Sequence, residues 1–206
     1  MGKMVITISR QFGSGGAEIA EKLAQKLGID FFDKDKLRTI AEKNGISREV
    51  FERIDQQATN SFLYSLAMSS YSGHAAASVN DVMMSDKLYL MQAEEIRKIA
   101  SINNCVIVGR AADDILGAGI DHTSIFISGD YDWRLKRIME KMSLGESHAK
   151  SLIKKTDKKR ASYYNFYTNR VWGEAKNYEI CIDSSVLGIE GTTEILYEYV
   201  KMKYRI

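Results

Sequence analysis

The chain has 206 residues, 45% hydrophobic and 27% charged, with 29 basic against 27 acidic residues and a formal charge of +2. That length supports one folded domain with a sizeable core, and so small a net charge does not suggest nucleic acid or an anionic membrane surface as the main partner; any anion site must be local. No apolar run approaches the ~18 residues of a membrane span and the N-terminus lacks the layout of a secretory signal, so a cytosolic protein without membrane or nucleic-acid partners is expected.

Short strand signals alternate with longer helical ones. "MVITIS" (Met4 to Ser9) reads as a buried strand, and Ile19, Ala20, Leu23, Ala24 and Leu27 then recur at helical spacing up to the stop at Gly28. "IDFFD" is a second strand, followed by a helix marked by Leu37, Ile40 and Ala41. Residues 46 to 85 are less regular, with helical pieces in "REVFERI" and "SFLYSLAM" and a small, polar loop from Ser69 to Asn80. Regularity resumes with a helix face of Tyr89, Ala93, Ile96 and Ala100, then the strands "CVIVG" and "TSIFISG". A helix striped by Leu135, Ile138, Met139 and Met142 follows, then a long basic helix from about Glu146 to Tyr167, the strand "YEICIDSS" and a last helix. Five buried strands separated by helices predict an α/β, doubly wound fold: a five-stranded parallel sheet with helices on both faces in a single domain. Cys105 and Cys181 fall in these apolar runs without metal-ligand spacing and are expected to be buried, reduced thiols.

"ISRQFGSGGAEIA", Ile8 to Ala20, sets a glycine-rich turn between the first strand and the first helix, where phosphate-binding loops sit. Against GxxxxGK[ST], Gly15 takes the last glycine, Gly16 stands where lysine would, and Ala17 where the hydroxyl would. Backbone N–H groups opening a helix make an anion site without lysine, and Arg10 is the nearest cation to replace it; the same turn is equally what a tight strand-to-helix junction needs. With no Ser or Thr at position 17, a magnesium ion would be left to phosphate oxygens, water or Ser14, so the metal ligands stay unassigned.

Arg110 in "VGRAADD" falls just past the third strand, on the rim where α/β sheets bind ligands, as do Asp33, Asp35 and Arg38 after the second. Arg134, Arg137 and Lys141 share one helix face, and "KSLIKKTDKKR" sets six basic residues against Asp157 alone, a pattern that suits either an anion or a plain basic surface. Tyr163, Tyr164, Tyr167 and Trp172, beside Arg160 and Arg170, suit covering a nucleotide or filling a core.

In order along the chain, "ITISRQFGSGG", "FFDKDKL", "VIVGRAAD", "DYDWRLKRI" and "DKKRASYYNFYTNRVWG" resemble the cytidylate-kinase-like family, a branch of the nucleoside monophosphate kinases. The resemblance implies a P-loop kinase core with an NMP-binding region at about 34–85 and a lid at about 142–172. It implies a phosphotransferase moving a phosphoryl group from ATP, with Mg²⁺, to a nucleoside monophosphate such as CMP. Arg10, Gly13, Ser14, Gly15, Gly16 and Ala17 would then hold the ATP phosphates. Asp33, Arg38 and Arg110 would hold the acceptor, and Arg134, Arg137, Asp157 and Arg160 would serve transfer. The Gly16–Ala17 pair departs from the lysine-bearing loop of true cytidylate kinases. That departure also suits a non-catalytic nucleotide or anion sensor, and a kinase of a non-nucleotide small molecule is a further alternative.

Overall fold

The strands pair side by side because backbone N–H and C=O groups are satisfied by a neighbouring strand, and those covered on both faces are almost unbroken apolar runs. The structure, a computed structural model, describes residues 3–43, 45, 48–49, 79–117 and 119–206. The elements in chain order are β1 (Val5–Arg10), α1 (Gly16–Leu27), β2 (Asp30–Phe32), α2 (Lys34–Lys43), α3 (Val79–Ile102), β3 (Cys105–Val108) and α4 (Ala112–Leu116). They continue with β4 (Thr123–Ser128), α5 (Tyr131–Met142), α6 (Glu146–Thr168), a 3-10 turn (Ala175–Asn177), β5 (Ile180–Asp183) and α7 (Ser184–Tyr204). Among the described residues the strands form one parallel sheet in the order β2-β3-β1-β4-β5. The expected α/β architecture is therefore present.

The period-2 alternation of strands divides the core in two. Ile6 and Ile8 of β1, Val106 and Val108 of β3, and Ile125 and Ile127 of β4 pack with Ile19 and Leu23 of α1 and Leu196 and Val200 of α7. On the other face Val5, Cys105 and Ile107 meet Leu37 of α2, Ile96 and Ile99 of α3, and Ile115 of α4. Burying each such side chain contributes about 1.5–3 kcal/mol, so the two layers fix the sheet and aim every strand's C-terminal end at one rim. α5 joins α6 through Leu135, Ile138, Ala149 and Ile153, which carries the basic helix to that same rim.

Two expectations are corrected. Val79 and Asn80, read as the end of a polar loop, begin α3, because no glycine or proline interrupts the chain from there to Ile102. The rest of that loop, and most of the helical pieces before it, lie outside the described residues. Cys105 is buried as expected, but Cys181 is exposed: β5 is an edge strand whose alternate residues face outward.

Candidate functional site

The turn between β1 and α1 takes its shape from neighbouring strands. Gln11 N donates to Ile127 O (2.9 Å), and Gly129 N donates to Gln11 Oε1 (3.2 Å). The Ser184 hydroxyl, at the start of α7, lies 2.7 Å from Ser14 O and 2.8 Å from Ser128 O. Gly13 and Gly15 are left-handed (φ 85° and 73°), which curls successive N–H groups into a concave cradle. Gly15 caps α1 without a side chain of its own, and of the first-turn donors Gly16 N is taken by the Ser14 hydroxyl (3.3 Å).

Arg134 and Asp157 hold this loop from beneath. Arg134 is 6% exposed, donates from Nε to Gly129 O (3.0 Å), and donates from Nη1 to Phe12 O (3.0 Å) and Asp157 Oδ2 (2.7 Å). The other Asp157 oxygen accepts from Phe12 N at 2.7 Å. Neither side chain lines the two cavities described below. Arg134→Ala leaves a shielded carboxylate and two carbonyls without their donor, so it is expected to cost about 3 kcal/mol in urea unfolding.

Two cavities flank the loop. One, about 370 Å³, runs beside the start of α1 and is lined by Phe12, Gly13, Gly15, Gly16 and Ala17 with Arg137, Lys141 and Met142. The other, about 240 Å³, lies between β1, β3 and α6, where Lys34, Arg110, Lys159, Tyr163, Tyr164 and Trp172 line it. Arg10 and Arg160 border both. Arg160 Nη1 donates to Arg10 O at 2.8 Å, and its guanidinium lies 5.6 Å from the centre of the Phe12 ring.

Arg10 reaches this seam because two residues lack side chains. A Cβ on Gly16 would lie 2.5 Å from Arg10 Cβ, and one on Gly109 would lie 2.4 Å from Arg10 Nη1. Its Nε is shielded from solvent and has no hydrogen-bond partner. Burial pushes the Arg10 pKa well down, the charges of Arg160 and Arg110 push it further, and Asp33 opposes them. Burial likewise lowers Arg160, against the pull of Asp157. Arg110 sits in the left-handed region (φ 63°), as does Ala111 (φ 53°), and its guanidinium lies 5.9 Å from the Tyr163 ring centre. Non-glycine residues held there cost about 1–3 kcal/mol each and cluster at functional sites.

The remaining expected residues are placed differently. Arg137 donates to Gly13 O (3.2 Å) and to Glu18 Oε2 (3.1 Å). Asp33 caps α2, accepting from Lys36 N at 2.9 Å. Arg38 runs along α2 to Asp35 (2.9 Å) and Glu42 (3.9 Å) and lines neither cavity. The aromatic residues serve both readings: Tyr163, Tyr164 and Trp172 line the smaller cavity while packing with Phe126 and Tyr178. Sequence reasoning did not single out Lys34 and Lys159, although each adjoins a residue it named, nor Glu18 in the first turn of α1. Burial alone would raise the Glu18 carboxyl, but hydrogen bonds from Lys141 and Arg137 outweigh it and hold the pKa low.

The residues beside the loop do not fit a magnesium ion. Ala17 offers a methyl group, and the Ser14 hydroxyl donates to Gln11 O (2.9 Å) while accepting from Gly16 N (3.3 Å). Glu18 is held by two cations, and no cluster of three His, Cys, Asp or Glu side chains suited to a metal occurs among the described residues.

Behind the smaller cavity, Tyr164 donates to the buried Asp113 at 2.7 Å. Burial raises the Asp113 pKa, and the Tyr164 hydrogen bond only partly opposes it. A folded-state pKa above the unfolded value means that this contribution to stability is full below the ordinary carboxyl range and is lost as pH rises through the elevated value. Asp113→Asn keeps an acceptor for Tyr164 without the charge. It is expected to remove that part of the pH dependence in unfolding measured from pH 4 to 8.

The overall fold finds counterparts in known structures. An uncharacterized protein from Eubacterium ventriosum ATCC 27560 is 29% identical, with a TM-score of 0.72 over 97% of this chain and 99% of that one. A shikimate kinase from Bacteroides thetaiotaomicron (14% identity, TM-score 0.54, 96% of this chain and 98% of that one) shares the fold. So does a shikimate kinase from Acinetobacter baumannii in complex with shikimate (12%, 0.51, 98% and 94%). No curated protein matches the sequence. No helix among the described residues is long and apolar enough to cross a membrane. The sequence profile of the cytidylate kinase-like family matches residues 5–186, and the chain belongs to that family.

Proposed function

We propose that the chain transfers a phosphoryl group from ATP or another nucleoside triphosphate to a small acceptor, a nucleoside monophosphate such as CMP being the acceptor its family suggests. The observation that carries this reading is the cluster of Arg10, Arg110 and Arg160 at the seam of two cavities, where burial and mutual repulsion depress Arg10. Such a cluster is costly unless an anion offsets it. The larger cavity, beside the loop amides, suits the donor; the smaller, with Lys34 and Arg110, suits the acceptor. Phosphoryl transfer asks mainly for alignment and for offset of charge on the moving group, and cations bordering both cavities stand where that charge passes. In this reading Arg10, Arg137 and Arg160 touch the phosphates, while Arg134 and Asp157 position the loop. The region of about 34–85, most of which lies outside the described residues, would bind the acceptor, and the lid of about 142–172 would close over the nucleotides.

The test is formation of the donor's nucleoside diphosphate (ADP from ATP) that depends on an added nucleoside monophosphate. Turnover with one of them supports the reading, and turnover only with a non-nucleotide alcohol would redirect it to another acceptor class. A second reading, a nucleotide sensor without turnover, is favoured by one observation: Glu18 already neutralises Arg137 and Lys141 at a loop that lacks lysine. Nucleotide binding without ADP formation would support it.

A further inference from the structure

We propose that the donor polyphosphate is bound without need of a divalent metal, the positive charge coming from side chains of this chain. The inference rests on reading the larger cavity as the donor site. Four cations, Arg10, Arg137, Lys141 and Arg160, line that cavity, and Glu18 is the carboxylate among its lining residues. The excess positive charge beside the loop amides is what a fully ionised triphosphate needs for neutralisation. A magnesium ion entering with the nucleotide would meet like charges and, among the described residues, no cluster of side chains suited to a metal. The Ser14 hydroxyl is committed within the loop, position 17 has no hydroxyl, and Glu18 is already paired with Arg137 and Lys141.

Glu18 then acts as a resident counter-charge. It holds Arg137 and Lys141 in place while the cavity is empty, and an arriving phosphate competes with it for both. The arginines can grip phosphate oxygens in a bidentate way, and Arg10 still has a shielded Nε without a partner.

The experiment is isothermal titration of ATP into the 206-residue chain, once with excess Mg²⁺ and once with EDTA. The dissociation constant is expected to stay within a factor of about three between the two, or to be lower in EDTA, because metal-free ATP carries more charge for the arginines. Affinity more than about tenfold weaker in EDTA would overturn the inference while leaving the phosphotransferase reading intact. Absence of ATP binding in both buffers would overturn both. Glu18→Gln is expected to tighten ATP binding several-fold in both buffers by releasing Arg137 and Lys141. Weakening confined to the Mg²⁺ buffer would instead identify Glu18 as a metal ligand and overturn the inference.

Discussion

Arg160→Ala is expected to lower turnover by a factor of about 10² or more, the usual loss when one donor to a developing charge is removed from a shielded site. Its guanidinium borders both cavities and reaches the last residue of β1, so in the proposed reading it lies where the transferred group would cross from donor to acceptor. Stability should change by only about 1 kcal/mol, since losing the 2.8 Å hydrogen bond to Arg10 O is offset by removing a positive charge that Arg10 feels. Steady-state turnover and the urea midpoint, measured on the same preparation, separate the two effects. A variant with unchanged turnover would remove Arg160 from the reaction.

The second large effect concerns Arg10 and the glycine that admits it. Arg10→Ala is expected to cost about 10² in turnover by removing a cation that the proposed reading sets between donor and acceptor phosphates. Gly109→Ala should cost nearly as much, because its new methyl group would lie 2.4 Å from Arg10 Nη1 and turn the guanidinium out of its slot. That substitution also forces alanine to φ 77°, a strain of about 1–3 kcal/mol visible in unfolding. The double variant separates the causes. If Gly109 acts by placing Arg10, Arg10→Ala together with Gly109→Ala turns over no more slowly than Arg10→Ala alone. Multiplication of the two losses would show that Gly109 contributes independently.

Much of the fold was legible because a strand buried on both faces must be an almost unbroken apolar run, and a helix covering it must repeat every three to four residues. Thus "CVIVG" placed β3, and the position after it placed Arg110 just past that strand's C-terminal end, where it lines the smaller cavity. Side-chain direction is another matter, because periodicity locates a residue without saying where its far end goes. Arg10 was assigned to the donor phosphates, yet its guanidinium lies against Gly109 and borders the smaller cavity as well as the larger.

Arg134 and Arg137 looked like equal members of a basic stripe. The packing of α5 on α6 buries Arg134 against Asp157 and leaves Arg137 at the cavity, a difference made by a tertiary contact. The pairing of Arg38 with Asp35 and Glu42 was readable, since those residues stand at i,i+3 and i,i+4 spacing on one helix. Cys181 misled because an edge strand and a central strand differ in cover while their local sequences look alike.

The claim on which the functional account stands is that two adjoining cavities hold donor and acceptor, with Arg10 and Arg160 between them. It is tested most directly by the binding of a compound in which a polyphosphate chain links two nucleosides, compared with ATP and CMP alone. The account predicts that the linked compound binds at least about 10²-fold tighter than ATP, because its second half engages without a second loss of translational freedom, and that Arg160→Ala removes most of this gain. Equal affinity for the linked compound and for ATP would contradict it.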